Sequence, residues 1–204
     1  MAFVLGLAVA YLIGSIPFAL LMVRWVAGVD VRTIGSGNVG ATNAARAFGK
    51  RGRLPAFLAI YLLDFAKGYL PAQFGPGLCG AEHGLLGPVL FGAAAILGHC
   101  TSPFLRFRGG KGVATSTGVF CVLTPAVLGV ALLVFLAVFA ATRQVFLGSL
   151  AIGLTLVIGT VVEDPSGAFG PRLPLTVFSS AVALFLVYTH RSNIRKFLTR
   201  RAPA

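Results

Sequence analysis

Charged residues, and acidic residues above all, are scarce in this sequence. Only 11% of its 204 residues are charged and five are Asp or Glu, whereas 57% are hydrophobic and the mean hydropathy is +0.91. Soluble globular domains carry about 25% charged residues. A chain with so few charges cannot coat its own surface for contact with water, so the composition predicts an integral membrane protein.

Residues that bind metals or form disulfides are also few. The three cysteines stand at no motif spacing, which excludes a zinc ribbon and a disulfide scaffold. Three histidines and five scattered carboxylates argue against a dinuclear metal site. We therefore expect neither a metal nor a cofactor.

Basic residues are the charges that the chain does have. The 17 Lys and Arg residues give a net charge of +12. In a soluble protein this excess would indicate nucleic-acid binding. In a chain this apolar it indicates membrane topology and an anionic lipid or substrate, and we expect no nucleic-acid partner.

Stretches with little or no charge predict seven transmembrane helices. The run 112–142 is too long for one upright helix. We place its break at Thr124-Pro125, because the residue before a proline disfavours helical geometry. The predicted fold is an all-α integral membrane protein with one domain over 1–204 and a short fourth span that either crosses the membrane or re-enters it. The predicted spans are 1–23, 54–72, 84–105, 112–123, 125–142, 144–162 and 173–189.

The distribution of basic residues predicts the orientation of these spans. With the N-terminus outside, four segments face the cytoplasm and together hold 15 of the 17 Lys and Arg residues. Cytoplasmic loops of membrane proteins are enriched in Lys and Arg. We therefore predict an outer N-terminus and a cytoplasmic C-terminus. The inward segments are 24–53, 106–111, 143 and 190–204.

The first inward segment is rich in glycine and in small polar residues. Its glycine spacing matches a dinucleotide-binding motif, but a membrane span precedes it and no suitable acid follows, so we reject that interpretation. Glycines still allow a backbone to approach an anion closely with its N–H groups, and Arg46 adds a guanidinium suited to phosphate. We predict an anion site, the alternative being a flexible loop with hydrogen-bonded turns. Its residues are Gly35, Ser36, Gly37, Asn38, Gly40, Thr42, Asn43 and Arg46.

The second inward segment places Lys111 among Gly109, Gly110 and Gly112, at the start of the fourth span. The sequence around it departs from the Walker A motif at two required positions, so it is not a P-loop of that kind. The N-terminus of a helix nevertheless favours anions. We predict a second phosphate site here. The alternative is a basic anchor touching lipid headgroups, which is the role we expect for the arginines at 106 and 108.

Six further polar residues admit two interpretations each. His190 and Asn193 share a face if the seventh helix continues past the membrane, although a basic tail is ordinarily only a topology signal. Asp64 and Lys67, three residues apart within a span, are expected to pair with each other in a structural role. A serine placed as Ser149 is most often bonded to its own helix backbone, and His99 is either a packed helix-end residue or a member of the site.

These three segments resemble the three cytoplasmic motifs of the bacterial membrane acyl-phosphate:glycerol-3-phosphate acyltransferases. The likeness spans nearly the whole chain. It implies a seven-helix enzyme of the inner membrane, with its active site on the cytoplasmic side, that transfers a fatty acyl group from long-chain acyl phosphate to the 1-hydroxyl of glycerol 3-phosphate. Lysophosphatidic acid and phosphate are the implied products, and membrane lipid is a further partner. The matching stretches are 35–43 with Arg46, 98–99 with 107–115, His190 with Asn193, and also 14–17 and 30–32.

The resemblance also implies which residues line the active site. Two departures are visible: Phe146 stands where a second serine is expected, and no Gly-x-Glu follows the last motif. The implied catalytic residues are Ser36, Lys111, Ser149, His190 and Asn193, with Asn38 and Arg46 also lining the site.

The proton acceptor is the open point of this mechanism. No motif contains a carboxylate, and no histidine is followed by an aspartate five residues later, which excludes the usual His-x4-Asp acyltransferase mechanism. Either His190 or an oxygen of the substrate phosphate accepts the proton, and we favour the phosphate. The competing class, a transporter of a phosphorylated metabolite, is disfavoured because the polar residues lie on one face and no inverted repeat is visible.

Overall fold

The computed structural model describes residues 1–80 and 84–201, and all regular structure in these ranges is helical. The all-α class expected from the sequence is therefore confirmed. The helices are α1 (Ala2–Ser15), α2 (Phe18–Ala27), α3 (Ala41–Ala44), α4 (Gly49–Leu78), α5 (Leu86–Cys100), α6 (Val113–Leu123), α7 (Pro125–Thr142), α8 (Val145–Glu163), α9 (Pro165–Ala168), α10 (Leu173–Thr189) and α11 (Arg191–Arg201), with 3₁₀ turns at Val31–Thr33, Ala45–Phe48 and Pro103–Leu105.

The chain forms two compact units, Met1–Val122 and Leu123–Ala204. One domain over 1–204 stays a prediction. The helix break predicted at Thr124-Pro125 is present, because α6 ends at Leu123 and α7 begins at Pro125.

Four helical stretches are long and apolar enough to cross a membrane. A fifth qualifies if α10 and the helix after it count together across a bend of 52°. By contrast, α6 has only 11 residues, and the 30-residue α4 contains several charges. The count of seven spans therefore stays a prediction. The four qualifying stretches are Ala2–Ala27, Leu86–Leu105, Pro125–Thr142 and Val145–Glu163.

Close helix contacts at glycines organise the first unit. Gly14 and Gly98 bring α1 and α5 together, and Gly68 and Gly118 bring α4 and α6 together; a Cβ at any of the four would meet backbone atoms of the opposite helix. Helices in lipid associate through such small residues, because lipid tails leave little hydrophobic driving force. The ends of α5 and α6, which flank the second glycine segment, are thus tightly held.

A proline break between α1 and α2 leaves two carbonyl groups without the regular hydrogen bond from the residue four positions later. Pro17 has no N–H and separates the two helices. The carbonyl of Ser15 accepts a hydrogen bond from Ser102 Oγ at 2.6 Å, and that of Ile16 accepts one from Lys67 Nζ at 3.0 Å. Side chains of α4 and of the segment after α5 therefore satisfy the broken backbone, as an apolar environment requires.

In the second unit α8 packs against both α7 and α10. Gly148 lies against the ring of Phe135, and Gly153 lies against Ala183. Where α8 ends, the carboxylate of Glu163 accepts a hydrogen bond from Thr124 and pairs with Arg172. This polar cluster joins the beginning of α7, the end of α8 and the residue before α10.

Candidate active site

The first glycine segment, residues 34–46, lies over a hydrophobic core. That core also contains Leu105, which precedes the second glycine segment, residues 106–112. Residues of the first segment and the residue that leads into the second therefore belong to one core in the first unit. Its buried members are Ala19, Val23, Val31, Val39, Ala41, Ala44, Ile60 and Leu105.

An aspartate–arginine pair directly precedes the first glycine segment. Asp30 Oδ1 accepts from the backbone N–H of Arg32 at 2.9 Å, and Oδ2 pairs with the guanidinium of Arg32 at 2.6 Å. These hydrogen bonds from Arg32 lower the pKa of Asp30 to about 2. The carboxylate therefore stays ionised at neutral pH and holds the turn that leads into the loop.

The side chain of Asn43 organises the first glycine segment from inside. It is 3% exposed, and its Oδ1 accepts from the N–H of Ser36 at 2.9 Å. Its Nδ2 donates to the carbonyls of Val31, Ile34 and Asn38 at 3.0 to 3.1 Å. The sequence suggested that Asn43 adds a donor for an anion. The structure corrects this, because three loop carbonyls already use that amide.

The remaining polar side chains of this segment lie at its surface. Ser36, Thr42 and Arg46 are exposed, and Asn38 is half-buried. Gly35 has a φ of 53°, and a Cβ there would meet both Asn43 Oδ1 and the guanidinium of Arg46. The arginine thus folds back onto the loop, where it can bind an anion held over the glycine.

A shallow basic depression adjoins Arg46. It has a volume of about 350 Å³ and is lined by Arg46, Gly49, Lys50 and Arg53. Three cations around one open depression favour an anionic group at this edge of the loop.

Two amides of the second glycine segment cap a helix. The N–H of Gly109 donates to the carbonyl of Cys100 at 3.0 Å, and that of Gly110 donates to the carbonyl of His99 at 3.1 Å. They therefore satisfy the last carbonyls of α5. The sequence placed both glycines in the predicted phosphate site, and in the structure their amides bind these carbonyls.

Lys111 and Gly112 retain the position that the sequence predicted for a phosphate site. Lys111 is half-buried and stands two residues before Val113, the first residue of α6. Gly112 has a φ of 84°, a conformation that glycine adopts readily and other residues do not. The first turn of α6 then offers backbone N–H groups beside the lysine.

A buried ion pair lies below this second segment. Lys67 Nζ is 2.8 Å from Asp64 Oδ1, so the pairing predicted from the sequence is present. His99 Nδ1 lies 3.8 Å from the same oxygen, and its ring is 6% exposed. His99 is thus the packed helix-end histidine of the two alternatives. In the sequence, this cluster was indicated by Asp64 and Lys67, two opposite charges three residues apart within a predicted span.

The third motif lies at a bend rather than on a straight helix. α10 ends at Thr189, where the predicted span 173–189 ends, α11 begins at Arg191, and the two are bent by 52°. The condition set for a shared face, a helix that continues straight, is therefore not met. His190 lies buried at the bend, and the backbone N–H of Asn193 donates to its carbonyl at 2.8 Å. The two residues thus meet through a turn.

The orientation of the His190 ring defines its tautomer. Nδ1 lies 2.8 Å from the carbonyl of Leu186, which can only accept. Nδ1 therefore carries a proton, and in the neutral ring the lone pair is on Nε2.

Ser149 and Phe146 lie on the first turns of α8. Ser149 is buried, and its Oγ donates to the carbonyl of Val145 at 3.0 Å, the backbone bond expected for a serine in this setting. Phe146 packs edge-on against Phe197 of α11, with ring centroids 5.5 Å apart. The aromatic pair accounts for phenylalanine at a position where a serine was expected.

The predicted site residues divide between the two units. Ser36, Asn38, Arg46, Lys111 and the glycines belong to Met1–Val122, whereas Ser149, His190 and Asn193 belong to Leu123–Ala204. Within residues 1–80 and 84–201, no group of three or more His, Cys, Asp or Glu side chains is arranged to hold a metal ion.

Known proteins match the chain over almost its full length. The model of the family described as glycerol-3-phosphate acyltransferase matches residues 4–200. The chain belongs to the glycerol-3-phosphate acyltransferase family. This membership confirms the resemblance drawn from the sequence and the expected activity, glycerol-3-phosphate acyl transfer in phospholipid synthesis.

Individual relatives agree with this membership. A glycerol-3-phosphate acyltransferase of Anaeromyxobacter sp. (strain Fw109-5) is 42% identical over 199 residues, covering 96% of this chain and 94% of the relative. One from Myxococcus xanthus (strain DK1622) is 44% identical over 190 residues, covering 93% of each.

A solved structure of the same family shares the fold. The crystal structure of PlsY (YgiH), an integral membrane glycerol 3-phosphate acyltransferase, in its glycerol 3-phosphate form is 33% identical, with a TM-score of 0.86 over 100% of this chain and 95% of that one. Its lysophosphatidic acid form is 31% identical to this chain, with a TM-score of 0.82 and the same coverage of both chains. The chain is accordingly a multi-pass helical membrane protein.

Proposed function

We propose that this acyltransferase takes its acyl group from acyl phosphate and transfers it to the 1-hydroxyl of glycerol 3-phosphate. The observation that carries the proposal is that two cation-bearing glycine segments lead out of one hydrophobic core, which contains residues of the first segment and Leu105, directly before the second. Two phosphate-bearing substrates repel each other unless cations hold them. Arg46 on one segment and Lys111 on the other provide a cation for each phosphate.

The reaction balances without a further reactant. The hydroxyl oxygen of glycerol 3-phosphate attacks the acyl carbon, the bond from that carbon to the phosphate oxygen breaks, and phosphate leaves with the electron pair. The hydroxyl proton goes to a phosphate oxygen, and lysophosphatidic acid and inorganic phosphate result. Acyl phosphate is a mixed anhydride and is already activated, so the chain's task is to bind, orient and stabilise charge.

Surface groups of the first segment are suited to one phosphate. Ser36 and Thr42 offer hydroxyls, and Asn38 and Arg46 offer N–H donors. Since Asn43 holds Ser36 in place from below, these groups are organised before a substrate arrives. Such preorganisation is what stabilisation of a developing charge requires.

Lys111 and Gly112 at the start of α6 are suited to the other phosphate. Gly109 and Gly110 contribute by shaping the segment rather than by donating to the ligand. The family resemblance supports Ser149, His190 and Asn193 as further catalytic residues.

His190 is suited to holding a phosphate group. It follows the C-terminus of α10, where the helix dipole stabilises a positive charge. A protonated ring that already donates through Nδ1 to Leu186 can offer its second N–H to a phosphate oxygen. We therefore keep the substrate phosphate as the proton acceptor.

We further propose seven spans, an outer N-terminus, and an active site on the cytoplasmic side of the bacterial inner membrane. The support is the clustering of 15 of the 17 basic residues in alternate segments. Both glycine segments and His190 belong to that inward set. Glycerol 3-phosphate would then reach the site from the cytoplasm, and the acyl phosphate from the lipid.

A donor-selection assay tests the proposal. Purified protein in detergent receives glycerol 3-phosphate with either acyl phosphate or acyl-CoA, with and without a metal chelator. We expect turnover with acyl phosphate alone, unchanged by the chelator and inhibited by added inorganic phosphate. Equal rates with acyl-CoA, or complete loss of activity in chelator, would contradict the proposal.

A further inference from the structure

Three buried polar side chains with no role in the proposed chemistry lie beneath the second glycine segment. Asp64, Lys67 and His99 are 2%, 4% and 6% exposed. Lys67 Nζ contacts Asp64 Oδ1 at 2.8 Å and donates to the carbonyl of Ile16 at 3.0 Å. The ion pair therefore forms without a hydrogen bond from the histidine.

His99 touches Gly110 with two different groups. Its carbonyl accepts from the N–H of Gly110 at 3.1 Å. A Cβ at Gly110 would collide with His99 Nε2, so the imidazole edge lies directly against that residue. One residue of α5 thus fixes the Gly110 backbone from two directions, immediately before Lys111.

The other edge of the ring faces Asp64. Nδ1 is 3.8 Å from the carboxylate oxygen, which is longer than a hydrogen bond, and it has no hydrogen-bond partner in the described part of the chain. An unpaired buried donor or acceptor costs about 1–3 kcal/mol, and an apolar ring would fill the same space without that cost. Buried polar groups retained in a membrane are commonly functional.

We propose that His99, held between Asp64 and Gly110, is a positioning residue that sets the Lys111 segment for phosphate binding. The ring lies directly behind Gly110, and the buried carboxylate on its other edge keeps it in place. Because the ring is enclosed, it acts through the segment and does not touch substrate. This inference rests on the proposed function, in which Lys111 binds a substrate phosphate.

A double-mutant cycle tests the contact with the ring. Gly110→Ala places a methyl group against His99 Nε2, whereas Gly109→Ala, the matched control, places one against the backbone carbonyls of residues 99 and 100. A displaced segment costs about a hundredfold in turnover, which we expect for Gly110→Ala. Adding His99→Ala to it restores activity about tenfold, to the level of His99→Ala alone. Adding His99→Ala to Gly109→Ala should restore no turnover.

Three results would overturn the inference. They are wild-type turnover in Gly110→Ala, no recovery in the His99→Ala double variant, and equal recovery in the Gly109→Ala background. Each variant is first checked for a monodisperse, cooperatively unfolding protein in detergent.

A conservative variant separates positioning from a purely structural role and keeps the test valid if the alanine variants do not fold. For folded His99→Gln, we expect the KM of one substrate to rise and the KM of the other to stay unchanged. In Lys111→Arg, we expect the KM of that same first substrate to rise. A purely structural role would lower kcat through loss of folded enzyme and leave both KM values unchanged, which would overturn the inference. Failure of the wild-type protein to use acyl phosphate would instead overturn the proposed function and this inference together.

Discussion

At the scale of single residues, the side chain of Asn43 makes hydrogen bonds that the backbone itself makes in helices and strands. The first glycine segment has little regular structure, so its carbonyls need other donors. Asn43 supplies them to three carbonyls and also accepts from Ser36. The functional surface of the loop therefore depends on a side chain beneath it.

Asn43→Asp tests that dependence at constant shape. The aspartate keeps an acceptor for the N–H of Ser36 but faces three carbonyls with an oxygen in place of a donor. We expect a loss of about 2 kcal/mol in the free energy of unfolding and a large loss of turnover. The control is Arg51→Ala, an exposed cation outside the loop. Thermal unfolding and acyl transfer measured together check this, and a fully active, fully stable Asn43→Asp protein would contradict it.

Polar residues of a candidate site could be proposed from the sequence, but the partners of their hydrogen bonds could not. Gly35, Gly37 and Arg46 could be recognised because their chemistry depends on residue type and spacing. The roles of Asn43, Gly109 and Gly110 could not, because a side-chain amide or a backbone N–H serves a ligand and a neighbouring carbonyl equally well. Only the folded loop decides which partner it meets.

At the scale of elements, a buried ion pair holds the break between α1 and α2. Lys67 reaches from α4 to both Asp64 and the carbonyl of Ile16, which lies at the Pro17 break and also accepts from the N–H of Phe18. The pair thus completes the backbone of a broken helix. The loss of stability on removing the pair should depend on whether one buried charge remains without its counter-ion.

Single and double variants of this pair measure that cost. Asp64→Asn leaves a buried ammonium without its counter-ion, which costs about 3 kcal/mol. We expect the double variant Asp64→Asn/Lys67→Met to unfold at a higher temperature than Asp64→Asn alone. Thermal unfolding in detergent gives both values, and a double variant less stable than either single variant would show that charge burial is not the controlling term.

The aromatic pair between α8 and α11 gives a second prediction for the elements. Phe146→Ser restores the serine expected for the family but removes the edge contact with Phe197, worth about 1 kcal/mol. We expect α11 to loosen and trypsin to cleave faster at Arg191, Arg195 or Lys196. Phe169→Ser, a substitution of an exposed ring, is the control. Equal cleavage in both variants would contradict the anchoring role.

Helices were more predictable than their ends and bends. Stretches with little or no charge located each long helix, and Pro125 located the break before α7. The end of the last span at residue 189 was predicted, but the bend at His190 was not, because no proline or glycine marks it. Likewise α4 extends beyond the predicted 54–72 to Gly49–Leu78, through three prolines, because neighbouring groups in a packed bundle can satisfy a proline-interrupted backbone.

At the scale of the whole molecule, the orientation follows from where the basic residues lie along the chain. Cysteine labelling tests it with two residues that the structure shows to be exposed, Arg51 and Ser166. In a background without the three native cysteines, Arg51→Cys should react only from the cytoplasmic side. Ser166→Cys should react only from outside. Labelling of both from the same side would contradict the seven-span orientation.

In the proposed reaction, Lys111 binds a phosphate group during acyl transfer from acyl phosphate to glycerol 3-phosphate. The most direct test measures lysophosphatidic acid and inorganic phosphate together in the wild-type protein, Lys111→Ala and the control Arg108→Ala, all purified and shown to be folded. We predict one phosphate released per lysophosphatidic acid formed in the wild type, near-normal rates in Arg108→Ala and no turnover in Lys111→Ala. Phosphate release without lysophosphatidic acid, or an active Lys111→Ala beside an inactive Arg108→Ala, would contradict the account.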